Sequence, residues 1–201
     1  MVMGHIYPGK AVMMKTMAKL VSIGAFLVLA DCYGQPKQLA AKDSRRDGMN
    51  TVVTSATIDG VPEAVFDLVT TARFWPQWHP ATRAVGGVTE RPFRLGDRIY
   101  EAGRIGEQSF QTSWRVIDHV YPTRVVLQSE TSTTRITYTF SARDGGTVFS
   151  RELAYPLENF AAVTAAPGGA EALMRSQSEQ AVKQLKAMVE KILREETTGI
   201  R

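Results

Sequence analysis

Between Thr51 and Ile58 the chain alternates, with Val52, Thr54, Ala56 and Ile58 on one side and Val53, Ser55 and Thr57 on the other. A period of two in a stretch this rich in β-branched residues predicts a strand. Asp59-Gly60 ends it. Pro62 suits the first turn of a helix, where its missing N–H costs nothing, and Glu63 meets the positive end of the helix dipole. Val65, Phe66 and Val69 give that helix a buried face, and a second short helical stretch covers Ala72 to Trp78, held short by Pro76 and Pro80.

Beyond Pro80 the period changes to two and stays there as far as Tyr155. Six strands are predicted: Ala81 to Glu90, Asp97 to Ile105, Gln108 to Val120, Arg124 to Glu130, Thr134 to Ala142 and Thr147 to Tyr155. The breaks carry turn chemistry, as in Leu95-Gly96-Asp97, Gly106-Glu107, Tyr121-Pro122 and Asp144-Gly145-Gly146. Connections this short imply an antiparallel meander, because parallel strands need crossovers of a dozen residues or more. The period then returns to that of a helix. Leu173, Gln177, Ala181, Leu185, Met188 and Ile192 recur every three or four residues, with Met174, Val182 and Val189 widening the stripe. On the opposite face Glu179 with Lys183, and Glu190 with Arg194, stand in the favourable i, i+4 order. Seven strands and one long amphipathic helix must share a core, so the fold class is α+β with the helix on the sheet.

Composition changes this picture at the amino terminus. Residues 1–50 hold seven Lys/Arg against three Asp/Glu, whereas residues 51–201 hold seventeen of each, so the net charge of +4 belongs to the tail. A neutral folded part lacks the basic stripe that phosphate binding requires, which excludes nucleic acid as a partner. Lys10, Lys15 and Lys19 precede an apolar or small run from Leu20 to Ala30. That order, and a run shorter than the roughly 20 residues of a membrane span, predicts an export signal or N-terminal anchor over residues 1–34. A polar linker over 35–50 and a domain over 51–196 follow. Export would place the domain outside the cytoplasm, with membrane association running through the N-terminal segment alone; a start at Met13, Met14 or Met17 gives a shorter basic stretch before the apolar run, and a later start codon is also the alternative under which the protein is cytoplasmic. Cys32 follows the apolar run as a lipidated cysteine would, but Asp31 before it is not the small uncharged residue such sites carry. One cysteine and three scattered histidines, His5, His79 and His119, support neither a disulfide nor a metal site. No cofactor is implied, since phosphate loop, dinucleotide fingerprint and nucleophile elbow are all absent.

The motifs in order are Pro62-Glu63-Ala64-Val65-Phe66, Phe74-Trp75-Pro76-Gln77-Trp78-His79-Pro80, Phe93-Arg94-Leu95-Gly96-Asp97, Trp114-Arg115-Val116, Tyr121-Pro122-Thr123-Arg124, Tyr138-Thr139-Phe140, Gly145-Gly146-Thr147 and Leu185-Lys186-Ala187-Met188-Val189-Glu190. Together they resemble the SRPBCC (START-like) superfamily, in particular its polyketide cyclase/dehydrase and lipid-transport branch, over essentially all of residues 51–196. The resemblance implies the helix-grip fold: a curved antiparallel sheet of about seven strands wrapped around a long C-terminal helix, with two short helices after the first strand. It also implies a cavity between sheet and helix, and no particular reaction.

Strand parity puts Phe110, Thr112, Trp114 and Val116 on one face, and Ile136, Tyr138 and Phe140 on one face of a later strand. The candidate ligand-binding residues are Trp75, Trp78, Tyr100, Phe110, Trp114, Tyr138, Phe140 and Tyr155; each has the alternative of completing the core. The segment Leu157 to Gly169, small and apolar with two terminal glycines, suits either a lid over the cavity or a plain connector. Two functions stay open. One is binding or transport of a small hydrophobic molecule; the other is a cyclase/dehydratase-type enzyme acting on a hydrophobic, polyketide-like substrate. Convergence of two or more of His79, Glu101, Tyr138, Arg151 and Tyr155 in one cavity favours the enzyme, and dispersal favours the carrier. A third class, a partner-binding module, would close the cavity and expose an apolar patch instead.

Overall fold

The computed structural model describes residues 49–156 and 169–198. The segment expected to direct export, Cys32 and the candidate lid up to Gly168 therefore lie outside the described residues. Strand β1 (Met49–Ile58) is followed by helix α1 (Pro62–Val69), a 3-10 turn (Ala72–Phe74) and the single-turn helix α2 (Trp75–Trp78). Then come β2 (Thr82–Gly87), β3 (Arg98–Ile105), β4 (Gln108–Val120), β5 (Arg124–Ser129), β6 (Arg135–Arg143) and β7 (Gly146–Pro156), and last α3 (Gly169–Thr198). The strands form one sheet in the order β1-β7-β6-β5-β4-β3-β2, antiparallel at every step. The chain thus runs as a meander from β2 to β7, and β1 closes on β7. This is the helix-grip architecture.

Two strand boundaries differ from the sequence pattern by two residues or more, each for a local reason. Strand β1 starts at Met49, because Met49 and Asn50 pair with Pro156 and Tyr155 although the chain there is too polar to signal a strand. Strand β2 stops at Gly87 rather than Glu90. Gly87 has φ 82°, and a Cβ there would stand 2.5 Å from the Arg98 carbonyl oxygen, so only glycine fits the turn out of the ladder.

Helix α3 lies on one face of this sheet. Its buried residues are Ala170, Met174, Ser178, Ala181, Val182, Leu185 and Val189. The stripe is rotated from the predicted one: Ser178 is buried where Gln177 was expected, and Leu173, Met188 and Ile192 lie at its flanks. The reason is chemical, since Ser178 faces a buried arginine. The ion pairs along the helix also differ. Lys186 bonds Glu190 at 2.5 Å and also the Thr57 carbonyl at 2.6 Å, while Glu190 accepts the Asp59 N–H at 2.9 Å. These bonds tie α3 to the end of β1, and the ion pair of Glu190 is with Lys186 of its own helix. The remaining i, i+4 pairs are Glu171–Arg175 and Lys191–Glu195, not Glu179–Lys183.

The core is one apolar cluster in which Phe66 of α1 meets Phe140 at 5.0 Å, and Phe140 meets Phe149 at 5.3 Å, between ring centroids. No helix among the described residues is long and apolar enough to cross a membrane.

Candidate functional site

Toward the amino-terminal half of α3 the interior is not filled. A cavity of about 350 Å3 lies between the sheet, α2 and α3. The three tryptophans of the chain, Trp75, Trp78 and Trp114, all line it. Helix α2 supplies the first two: Trp75 packs edge-on against Phe93 at 5.8 Å, and Trp78 lies edge-on to Tyr138 at 6.5 Å. The far wall is Ile136 and Tyr138 of β6, Leu153 of β7 and Met174 of α3. Strand β4 contributes Phe110, whose ring lies over Gly103 so closely that a Cβ on Gly103 would stand 2.6 Å from it. The exposed part of the lining is uncharged and polar: Gln108, Ser109 and Gln111 on β4, and Thr131 after β5. These residues form a mouth with hydroxyls and amides but no formal charge.

The deep part carries a polar chain that the sequence does not announce as a unit. Arg151 stands on β7 in register with Thr54 of β1 and Tyr138 of β6, so the three share one cross-strand row. Its Nη1 donates to Ser178 Oγ at 2.8 Å, and Ser178 is in turn 3.0 Å from Thr54 Oγ1. Its Nη2 lies 3.2 Å from His79 Nε2. A guanidinium has donors only, so Nε2 must accept and the His79 proton must sit on Nδ1. His79 Nδ1–H then donates to Thr82 Oγ1 at 3.0 Å, and Thr82 passes its own hydrogen to Glu101 Oε1 in a short hydrogen bond. The other carboxyl oxygen, Oε2, accepts from Trp114 Nε1 at 2.8 Å. One directed chain therefore runs from the Arg151 cation through His79 and Thr82 to Glu101.

The electrostatics follow from burial. Desolvation first, and the neighbouring Arg151 charge second, push His79 down to about 3, so the imidazole is neutral at ordinary pH, as its acceptor role requires. Burial raises Glu101 above the usual carboxylate range, opposed by its bonds from Thr82 and Trp114 and by the Arg151 charge. Burial also lifts the Tyr138 phenol to about 12, which keeps it protonated; a hydrogen bond with Arg151 works in the opposite direction.

Of the residues singled out from the sequence, Trp75, Trp78, Phe110, Trp114 and Tyr138 line the cavity. Tyr100 does not. It is 54% exposed, because it neighbours Glu101 on β3 and a strand sends successive side chains to opposite faces. The inward position on β3 belongs to Glu101, and the donors Thr82 and Trp114 offset the cost of burying its carboxylate. Phe140 and Tyr155 are buried in the apolar core away from the cavity lining, and His119 packs edge-on against Phe66 at 5.5 Å. Thus His79, Glu101, Tyr138 and Arg151 converge and Tyr155 does not. Thr82 and Ser178 were missed. Ser178 had a signal, a polar residue inside the apolar stripe of an amphipathic helix. Thr82 had none, since a bulge between Thr82 and Ala84 resets the parity of β2. Among the described residues no group of three or more His, Cys, Asp or Glu is placed to hold a metal ion.

A seven-stranded antiparallel sheet gripping one long helix over an internal cavity defines the SRPBCC, or START-like, class of proteins. Residues 49–190 match the family model described as polyketide cyclase/dehydrase and lipid transport, and the chain belongs to that family. Among solved structures it resembles the solution structure of the KanY protein, at 13% identity over 70% of this chain and 97% of that one, with a TM-score of 0.57. A protein from Arthrobacter aurescens is similar at 14% identity over 76% and 92% of the two chains, with a TM-score of 0.56. One from Rhodobacter sphaeroides is similar at 21% identity over 69% and 90%, with a TM-score of 0.51. At such identities the likeness is one of fold. No curated protein matches the sequence.

Proposed function

We propose that the protein binds one small, mainly apolar molecule in the cavity between the sheet and α3, as a carrier or sequestering protein. The observation that carries this is the cavity itself: about 350 Å3, walled by three tryptophans and aliphatic side chains, with a polar uncharged mouth. That volume is at the small end of the roughly 300–1,000 Å3 typical of sites for small organic ligands. The family's description, which includes lipid transport, points the same way. Export directed by residues 1–34 belongs to the same reading and puts the binding event outside the cytoplasm; the amino-terminal residue of the mature protein, found by mass spectrometry, tests it. The binding test is native mass spectrometry of the full chain purified from its own compartment, with extraction of what co-purifies. A stoichiometric apolar molecule, absent from Trp114→Arg, is expected. A clean apo protein whose melting temperature no hydrophobic compound raises would contradict the reading.

One observation favours a second reading, a cyclase/dehydratase-type enzyme. His79, Glu101, Tyr138 and Arg151 converge on one cavity, and a protonated phenol beside a guanidinium is a suitable pair for polarising a carbonyl. Against it, both His79 nitrogens and both Glu101 oxygens are already bonded within the protein, and an imidazole near 3 is a weak base. Turnover of the co-purified molecule, abolished by Glu101→Gln while binding persists, would establish the enzyme.

A further inference from the structure

We infer that the molecule held in this cavity carries an anionic oxygen group and that Arg151 is the residue that takes it. The inference rests on the cavity being the binding site and adds the charge of its occupant. Arg151 lines the cavity and is 2% exposed. Its guanidinium is charged at every accessible pH and offers five donors. Its neighbours are all neutral: the Ser178 hydroxyl at 2.8 Å, the His79 imidazole at 3.2 Å and the Tyr138 phenol. Its Nε–H has no hydrogen-bond partner, and among the described residues no carboxylate stands within ion-pair distance of it.

Glu101 is the carboxylate of the cavity, and it is held away from the guanidinium. Its two oxygens are taken by Thr82 and Trp114, and the His79–Thr82 pair stands between it and Arg151. A buried cation whose contacts are all neutral is the costly half of an ion pair, and it is matched by an acceptor-only oxygen group. Arginine is the side chain suited to that match, because its planar fork meets a carboxylate with parallel hydrogen bonds. The mouth residues Gln108, Gln111 and Thr131 carry no charge, so charge is read at the deep end. A cationic molecule would be repelled by Arg151, and each Glu101 oxygen already accepts a hydrogen bond from the protein.

The test is calorimetric titration of the full chain at neutral pH with two matched pairs, decanoate against 1-decanol and 2-naphthoate against 2-naphthalenemethanol. In at least one pair the acid is expected to bind roughly tenfold or more tighter than the alcohol, the usual advantage of a charge-assisted bond. Arg151→Gln should bring the acid down to the alcohol, and Arg151→Lys should keep part of the preference. Retained alcohol binding by Arg151→Gln shows that variant's cavity intact, and the wild-type comparison needs no variant. Equal binding of acid and alcohol in both pairs, or a preference that survives Arg151→Gln, overturns the inference and leaves the cavity reading standing. Failure of all four compounds to bind overturns both.

Discussion

The two halves of α3 cover the same sheet and do opposite things. From Ala181 onward the helix buries Ala181, Val182, Leu185 and Val189, all outside the cavity lining, within an apolar core that also holds Phe66, Phe140 and Phe149. Before Ala181 it buries Ala170, Met174 and Ser178, and Met174 and Ser178 face the cavity. The strands repeat the division. Tyr138 and Arg151 line the cavity, and two residues along, Phe140 on β6 and Phe149 on β7 fill the core. The same elements therefore make dense packing at one end and open space at the other, with a polar chain added at the open end. The fold provides the grip, and a few positions decide whether it closes.

The largest expected difference is in the response to truncation. Leu185→Ala should cost about 3–5 kcal/mol, the transfer term plus a new cavity. Met174→Ala should cost about 2 kcal/mol, because its side chain already borders space and little new cavity forms. Urea unfolding of both variants checks this, and equal losses would mean that the two ends are packed alike.

Next comes the polar chain. Thr82→Val keeps the shape of the side chain but removes the hydroxyl that links His79 to Glu101, leaving a donor and an acceptor unmatched in a buried site. A loss of about 2–3 kcal/mol is expected from equilibrium unfolding, with no comparable loss from the same change at exposed Thr139.

The pH dependence separates the ends further. His79 is held near 3 in the folded protein against about 6.5 unfolded, so its contribution is whole above pH 6.5 and is lost as pH falls toward 3. Between pH 7.5 and 5 the wild type should lose about 2 kcal/mol relative to His79→Gln. Glu101 acts in the opposite sense: its raised value adds stability below the unfolded carboxylate range, which disappears as pH rises through the folded value. The His79→Gln comparison at each pH isolates the histidine. A flat difference across this range would contradict the neutral imidazole.

The smallest effect is expected at Ser178→Ala. It removes the hydrogen bonds to Arg151 and Thr54 and should cost about 1.5 kcal/mol by thermal unfolding. A stabilising result would mean that the polar break in the helix stripe is not used by Arg151.

Much of this arrangement was legible in the sequence, for reasons that also explain what was not. Element order came through because each strand is bounded by turn chemistry and α3 keeps its helical period over many turns. Cavity aromatics such as Trp114 and Tyr138 were found by parity alone. The polar chain was hidden because its members are one residue each on α3, β1, β2, β3, β7 and the turn after α2, and nothing local couples residue 79 to 151 or 54 to 178. Tyr100 and Glu101 are adjacent on β3, so only one can face the cavity, and the donors that settle it for Glu101, Thr82 and Trp114, stand on the two neighbouring strands.

The central claim, that the amino-terminal half of α3 leaves room for a molecule, is most directly tested by fluorescence. All three tryptophans border the cavity, so energy transfer from tryptophan to 1-aminoanthracene, a neutral apolar fluorophore, reports its occupation. Titration of the full chain should give a saturable one-to-one signal that Leu153→Trp, by filling the space, abolishes and that Leu185→Ala leaves in place. A linear, unsaturable signal from the folded wild type would contradict the account.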